Sequence, residues 1–278
     1  MYVIKNKALN RYRLKRERSV WARIYWSLVM KELIRGLREF QTDYYPSHQN
    51  LFRELAHGQH PRVLFITCSD SRVDPNLITQ ADVGELFVIR NAGNIIPPYE
   101  ATNGGEGATV EYAIHALDIK QIIICGHSNC GAMKGILQLG KLSEEMPLVY
   151  DWLKHTEATR RLVKENYGHL DKEDMLNVLV AENVLTQIEN LRTYPVIHSK
   201  LYRGDLSIHA WIYTIETGEV LAYDAEKHAF APPFSKISPE PNQQTAFVTP
   251  QSHLPGATRL SRQQAERIYR GSTPLGVH

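Results

Sequence analysis

The chain has 278 residues, 43% of them hydrophobic and 22% charged, and a formal net charge of +2. Such a composition is globular, and the length is enough to bury a full core in one or two domains. The near-neutral balance gives no overall attraction for nucleic acid or for an anionic membrane, so a basic partner surface would have to be local. Three cysteines, Cys68, Cys125 and Cys130, form an odd set with no secreted disulfide framework around them. That favours a reducing cytoplasmic setting and thiols that bind metal or react.

In chain order, residues 1–29 are a basic extension, with lysines and arginines from Lys5 to Arg18 ahead of an apolar run from Val20 to Met30. The run contains Arg23, is too short for a membrane span, and is followed by no small-residue cleavage pattern. The extension reads as a solvated tail or as sequence upstream of a natural start at Met30; the competing reading is a basic helix that docks on a partner or membrane surface. From Met30 onward, Leu33, Ile34, Leu37 and Phe40 recur at helical spacing.

Residues 30–230 are expected to form the catalytic domain, an α/β fold with a mostly parallel sheet flanked by helices, because short apolar runs alternate there with helical patterns. Val63–Thr67, Leu86–Ile89 and Ile122–Cys125 are too short and too β-branched for helices and are predicted strands. Between the last two, Gly105–Leu117 is a predicted crossover helix with Val110, Ala113, Ile114 and Leu117 on one face. Two longer amphipathic helices are predicted over Leu148–Tyr167 and Lys172–Leu191. Leu206, Ile208, Ala210 and Ile212 then alternate up to Glu216-Thr217-Gly218-Glu219, and Val220 and Ala222 resume the alternation, which predicts a β-hairpin at one end of the sheet. Residues 231–278 are a Pro-rich linker closing on a short helix, where Ser261 and Gln264 match a capping box and Ala265, Ile268 and Tyr269 share a face.

Cys68-Ser69-Asp70-Ser71-Arg72 starts at the end of the first strand, and His127-Ser128-Asn129-Cys130 just after the third. In an open parallel sheet ligands bind beyond the carboxyl ends of the strands, so the two groups can converge. Two thiolates and one imidazole favour Zn²⁺ and leave a fourth position for water, substrate or a carboxylate such as Asp70. A structural zinc site would close with four Cys or His ligands, and the other thiol, Cys125, sits inside an apolar strand as a small hydrophobe. Asp70 can accept a hydrogen bond from metal-bound water, with Arg72 fixing the carboxylate. A phosphatase-type thiol enzyme needs C-x₅-R where this chain has C-x₃-R, and Gly105-Glu106-Gly107 lacks the third small residue of a dinucleotide loop.

The pair Cys68-Ser-Asp-Ser-Arg72 and His127-x-x-Cys130 resembles the signatures of the β-carbonic anhydrases, as do Arg90-Asn91-Ala92-Gly93-Asn94 and Gly104-Gly105-Glu106-Gly107 through Glu111-Tyr112. The resemblance covers about residues 31–230. It implies reversible hydration of CO₂ to bicarbonate, with zinc on Cys68, His127 and Cys130 acidifying a water. Two thiolates on the metal should place the rise of the rate on the alkaline side of neutrality. Asp70 either orients that water with Arg72 or, in a closed state, swings onto zinc itself, and family members are known in both arrangements. The resemblance also implies a substrate-binding amide at Gln59 and active sites beside a subunit interface, hence a homodimer or larger homo-oligomer. Phe65 stands where some bacterial relatives carry a Trp that helps form an inhibitory bicarbonate pocket, although Arg90 is retained. The alternative on the same scaffold is a hydrolase of CS₂ or carbonyl sulfide; a non-catalytic shell component is disfavoured by the intact Cys68, Asp70, Arg72, His127 and Cys130.

The tail ending in Gln264-Ala265-Glu266-Arg267-Ile268-Tyr269-Arg270-Gly271 extends the likeness to the carboxysomal carbonic anhydrases of cyanobacteria. It implies a cytoplasmic enzyme within the carboxysome that serves carbon fixation, with residues 261–270 docking on a scaffold protein.

Overall fold

The computed structural model describes residues 28–101, 104–225 and 227–233. The linker and tail helix from residue 234 onward, and all of the basic extension before residue 28, lie outside the described residues. The chain divides into two units, Met1–Gln59 and His60–His278.

In the first unit, residues 28–39 are helical (α1), so the helix already includes residues 28 and 29. A π-turn over Phe40–Tyr44 follows, then α2 (Tyr45–Ser47) and α3 (Gln49–Leu55). Phe40, Tyr44, Tyr45 and Phe52 form an aromatic cluster with ring centroids 5.2–6.3 Å apart. The apolar stripe predicted from Leu33, Ile34 and Leu37 faces out, with Leu33 59% and Leu37 62% exposed.

The second unit is built on a six-stranded sheet in the order β2-β1-β3-β4-β5-β6. The strands are β1 (Val63–Cys68), β2 (Leu86–Asn91), β3 (Gln121–His127), β4 (Ser207–Thr214), β5 (Glu219–Asp224) and β6 (Ala229–Ala231). β2, β1, β3 and β4 are parallel, while β5 and β6 add antiparallel edges. This is the mostly parallel α/β sheet expected from the sequence, with the predicted hairpin at β4–β5. β6 was not predicted, since three residues carry too little alternation to read.

Strand alternation divides the interior into two layers. Leu64, Ile66 and Cys68 of β1 and Ile122 and Ile124 of β3 join the main core. Phe65, Ile123 and Cys125 form a smaller cluster with Trp211 and Tyr213. Phe65 is fully buried there, with Trp211 edge-on at 6.1 Å.

The helices are α4 (Pro75–Thr79), α5 (Gly105–Glu111), α6 (Gly131–Leu137), α7 (Leu139–Glu145), α8 (Pro147–Leu153), α9 (Glu157–Tyr167), α10 (Lys172–Arg192) and α11 (Pro195–Arg203). The predicted helix over 105–117 stops at Glu111 and continues as a π-turn over Tyr112–Ala116. The single helix predicted over 148–167 is two helices joined by a 3₁₀ turn at Lys154–Thr156. There Thr156, fully buried, turns its hydroxyl onto the Leu153 carbonyl at 2.6 Å and competes with the helical ladder. α10 keeps its predicted bounds to within one residue, but it is buried all round from Val178 to Ile188 and not on one face alone. Asp171 caps it by accepting from the N–H groups of Glu173 and Asp174, both at 2.9 Å, and it packs against β3, β4 and α9.

Gly126 of β3 lets α10 come this close. A Cβ there would lie 2.7 Å from Val184 Cγ2 and 3.1 Å from Val180 Cγ1. Gly126→Ala is therefore expected to destabilise the protein by about 1–3 kcal/mol through overpacking. A denaturant midpoint unchanged from wild type would show that α10 yields without cost.

Candidate active site

β1 is followed by β2 on one side and, after the crossover, by β3 on the other, so the strand order reverses at β1. A crevice opens outside the carboxyl ends of strands at such a switch point. Cys68 is the last residue of β1 and His127 the last of β3, so the two strands run one and two residues further than predicted. Cys130 is the N-cap of α6.

The ligand atoms of Cys68, His127 and Cys130 all lie within 4.8 Å of one another, and all three residues are buried. Cys125, in the smaller cluster with Phe65, is not part of the group; burial pushes its thiol up to about 12, so it stays protonated. The two sulfurs of Cys68 and Cys130 are 3.9 Å apart. Two Zn–S bonds of about 2.3 Å at a tetrahedral angle span about 3.8 Å, so the separation fits such an ion. His127 Nδ1 lies 2.8 Å from the Ser128 carbonyl, which fixes the proton on Nδ1. Nε2 is left buried with no hydrogen-bond partner, a lone pair that a metal would satisfy.

The thiols point the same way. The Cys130 S–H donating to Cys68 draws the Cys68 thiol down against the opposing effect of burial, with the Gly93 N–H also helping. The same bond, together with burial, pushes Cys130 far up. Two buried thiolates this close need a cation, which deprotonates a coordinating thiol outright.

Asp70 stands at the mouth of this group, with Oδ2 3.9 Å from His127 Nε2. Its Oδ1 accepts from the Arg72 backbone N–H at 3.0 Å and from Arg72 Nε at 2.9 Å, and Oδ2 accepts from Arg72 Nη2 at 2.8 Å. The guanidinium holds the carboxyl well below the usual carboxylate range. Arg90, from β2, donates through Nε to the Cys68 carbonyl at 3.1 Å and through Nη2 to the Asp70 carbonyl at 2.8 Å, bracing the backbone on both sides of Ser69. Gln59 is an exposed residue at the end of the first unit.

Glu216 escaped the sequence reading, where it counted as a turn residue. Its carboxylate accepts from Ser128 Oγ and from Asn129 Nδ2, both at 2.6 Å, and so ties the His127–Cys130 turn to the β4–β5 hairpin. Asn129 needs that support, with φ at +55°. Nothing in a lone Glu before Thr-Gly signals this role. A second omission had a signal: the amides Asn183, Gln187 and Asn190 recur at helical spacing along one side of α10.

The class of protein this fold and site define is an α/β protein whose buried Cys₂His group at the strand ends could hold a metal ion. A family model described as carbonic anhydrase matches residues 63–220. The chain is 60% identical to a carbonic anhydrase of Synechocystis sp., over 87% of this chain and 100% of that relative. The structure of the β-carbonic anhydrase CcaA superposes with a TM-score of 0.73 at 69% identity, covering 73% of this chain and 99% of that one. A tetrameric β-carbonic anhydrase from the filamentous ascomycete Sordaria macrospora gives 0.59 at 28% identity, over 72% and 95%. The chain belongs to the β-carbonic anhydrase family, and its activity is that of a carbonic anhydrase. No helix among the described residues is long and apolar enough to cross a membrane.

Proposed function

We propose that this enzyme interconverts CO₂ and bicarbonate with a zinc ion held by Cys68, His127 and Cys130, and that it works inside a carboxysome, releasing CO₂ from bicarbonate for carbon fixation. The observation that carries the metal assignment is the buried, unpartnered His127 Nε2 beside two sulfurs 3.9 Å apart. When bound, zinc supplies the Lewis acidity that makes water a nucleophile near neutral pH. Asp70, locked by two parallel bonds from Arg72, accepts the proton-bearing side of the attacking water and aims its lone pair at the CO₂ carbon. In the reverse direction the same carboxylate orients bicarbonate through its hydroxyl. In the closed alternative Asp70 would leave Arg72 to hold the metal itself; the bidentate pair with Arg72 favours the open arrangement. Gln59 is assigned to substrate on the family resemblance.

Assembly is expected to be at least dimeric. The exposed apolar stripe of α1 supports this, as does the tetrameric Sordaria relative. Residues 261–270 are too few to hold a helix alone, since isolated helices become marginal only near ~12–15 residues. They would order on a scaffold partner, with Ala265, Ile268 and Tyr269 buried and Arg262, Arg267 and Arg270 facing an acidic groove. The test is zinc content together with stopped-flow CO₂ hydration under reducing conditions, on the full chain and on a form lacking residues 250–278. Stoichiometric zinc, rapid hydration by both forms, and scaffold co-purification with the full chain alone are expected. A metal-free active enzyme would overturn the zinc assignment, and unchanged scaffold binding by the shortened form would overturn the docking role.

A further inference from the structure

The Ala92–Gly93 peptide unit is held from two ends. Its N–H, on Gly93, donates to Cys68 Sγ at 3.4 Å, while its carbonyl, on Ala92, accepts from the indole Nε1 of Trp152 at 2.9 Å. Because a peptide is planar, fixing the carbonyl fixes the direction of the N–H opposite it. The next carbonyl, on Gly93, accepts from Asn183 Nδ2 at 3.0 Å. Asn183 is itself held by Gln187, whose Nε2 donates to Asn183 Oδ1 at 2.9 Å and whose Oε1 accepts from the Ile96 N–H at 2.8 Å. Asn183 and Gln187 are fully buried, and amides are retained in such a place only with partners. The loop they hold passes the sulfur in a conformation, φ +85° at Gly93, that glycine adopts freely, and a Cβ there would meet Met133 Cε at 2.8 Å.

We propose that Trp152 and Asn183 are positioning residues that aim the Gly93 N–H at the Cys68 thiolate and so tune the sulfur's donation to the metal. The inference rests on the zinc reading given above. Two thiolates on one divalent ion leave little net positive charge to activate water. An N–H bond to one of them draws charge off the sulfur and returns Lewis acidity to the metal. The indole bond on the Ala92 carbonyl polarises the same peptide and strengthens its N–H as a donor. A helix packing residue and a buried core amide thereby act on the reaction without touching substrate.

The direct measurement uses the cobalt(II)-substituted full-length enzyme and the variant Trp152→Phe, which keeps an aromatic ring and removes only the donor. With the N–H bond weakened, sulfur lone pairs rise in energy, so the thiolate-to-cobalt charge-transfer band moves to longer wavelength while cobalt stoichiometry stays that of wild type. CO₂ hydration by the zinc form falls about tenfold, the size of effect usual for partners of metal ligands. Asn183→Leu shifts the band in the same sense. Tyr194→Phe, which loses only a bond to the Pro97 carbonyl further along the loop, leaves it in place. A purely structural role would lower the melting temperature of Trp152→Phe without moving the band, and that result overturns the proposal. The wild type gives a test free of any folding defect: in the cadmium-113 protein the Gly93 amide proton should show scalar coupling to the metal through Cys68, and its absence also overturns the proposal. Failure of the wild type to take up one metal per chain would instead refute the zinc reading.

Discussion

Replacing Cys68, His127 or Cys130 by alanine is expected to abolish stoichiometric zinc binding and to lower CO₂ hydration more than about 100-fold, beyond the 10–100-fold that loss of an outer partner costs. Each contributes one of three inward donors, and none of the described residues adds a further sulfur or imidazole to the group. His127→Ala also deletes a fully buried ring whose Nδ1 is committed to Ser128, so no water recreates both contacts. Cys125→Ser is the control. It puts a hydroxyl in the Phe65–Ile123 cluster and should cost about 1–3 kcal/mol of stability, yet it keeps metal and activity. Metal analysis and stopped-flow assays on the four variants check this. Zinc lost from Cys125→Ser and kept by Cys130→Ala would mean that the ligands are misassigned.

Asp70→Asn and Arg72→Ala are each expected to retain zinc and to lower kcat/KM about 10–100-fold. The sign of the pH dependence separates orientation from charge. Arg72 depresses the Asp70 pKa, so the ionised form, and the stability it brings, are present above the usual carboxylate range and lost only in strong acid. Without Arg72 the group returns toward its ordinary pKa of about 3.9 and is still ionised at neutral pH. The deficit of Arg72→Ala near pH 7 therefore measures lost orientation, and raising the pH should not repair it. Arg72→Lys should not restore the rate, because an ammonium cannot give the two parallel N–H bonds that the guanidinium makes. A wild-type rate in Arg72→Lys would show that a positive charge beside Asp70, and not two-point orientation, is what the reaction needs.

The sequence by itself determined the parts whose physics is local. β-branched runs bounded by turn residues marked β1, β2 and β3. The period-two pattern marked the β4–β5 hairpin, and a twenty-residue helical pattern marked α10. The cluster of Cys68, His127 and Cys130 and the Asp70–Arg72 pair were legible as candidates because scarce residue types fall at predicted strand ends, where a parallel sheet must leave its crevice.

Tertiary structure decided what depends on partners distant in the chain. The break at Lys154–Thr156 follows from burying Thr156, which periodicity does not record. That Cys125 lies apart from Cys68 follows from which side of the sheet each strand turns to each core layer. The hold of Glu216 on the Ser128–Asn129 turn spans 87–88 residues, and that of Asn183 on Gly93 spans 90. Such bonds leave no spacing in the sequence, because only the closing of the sheet and the packing of α10 upon it bring donor and acceptor within reach.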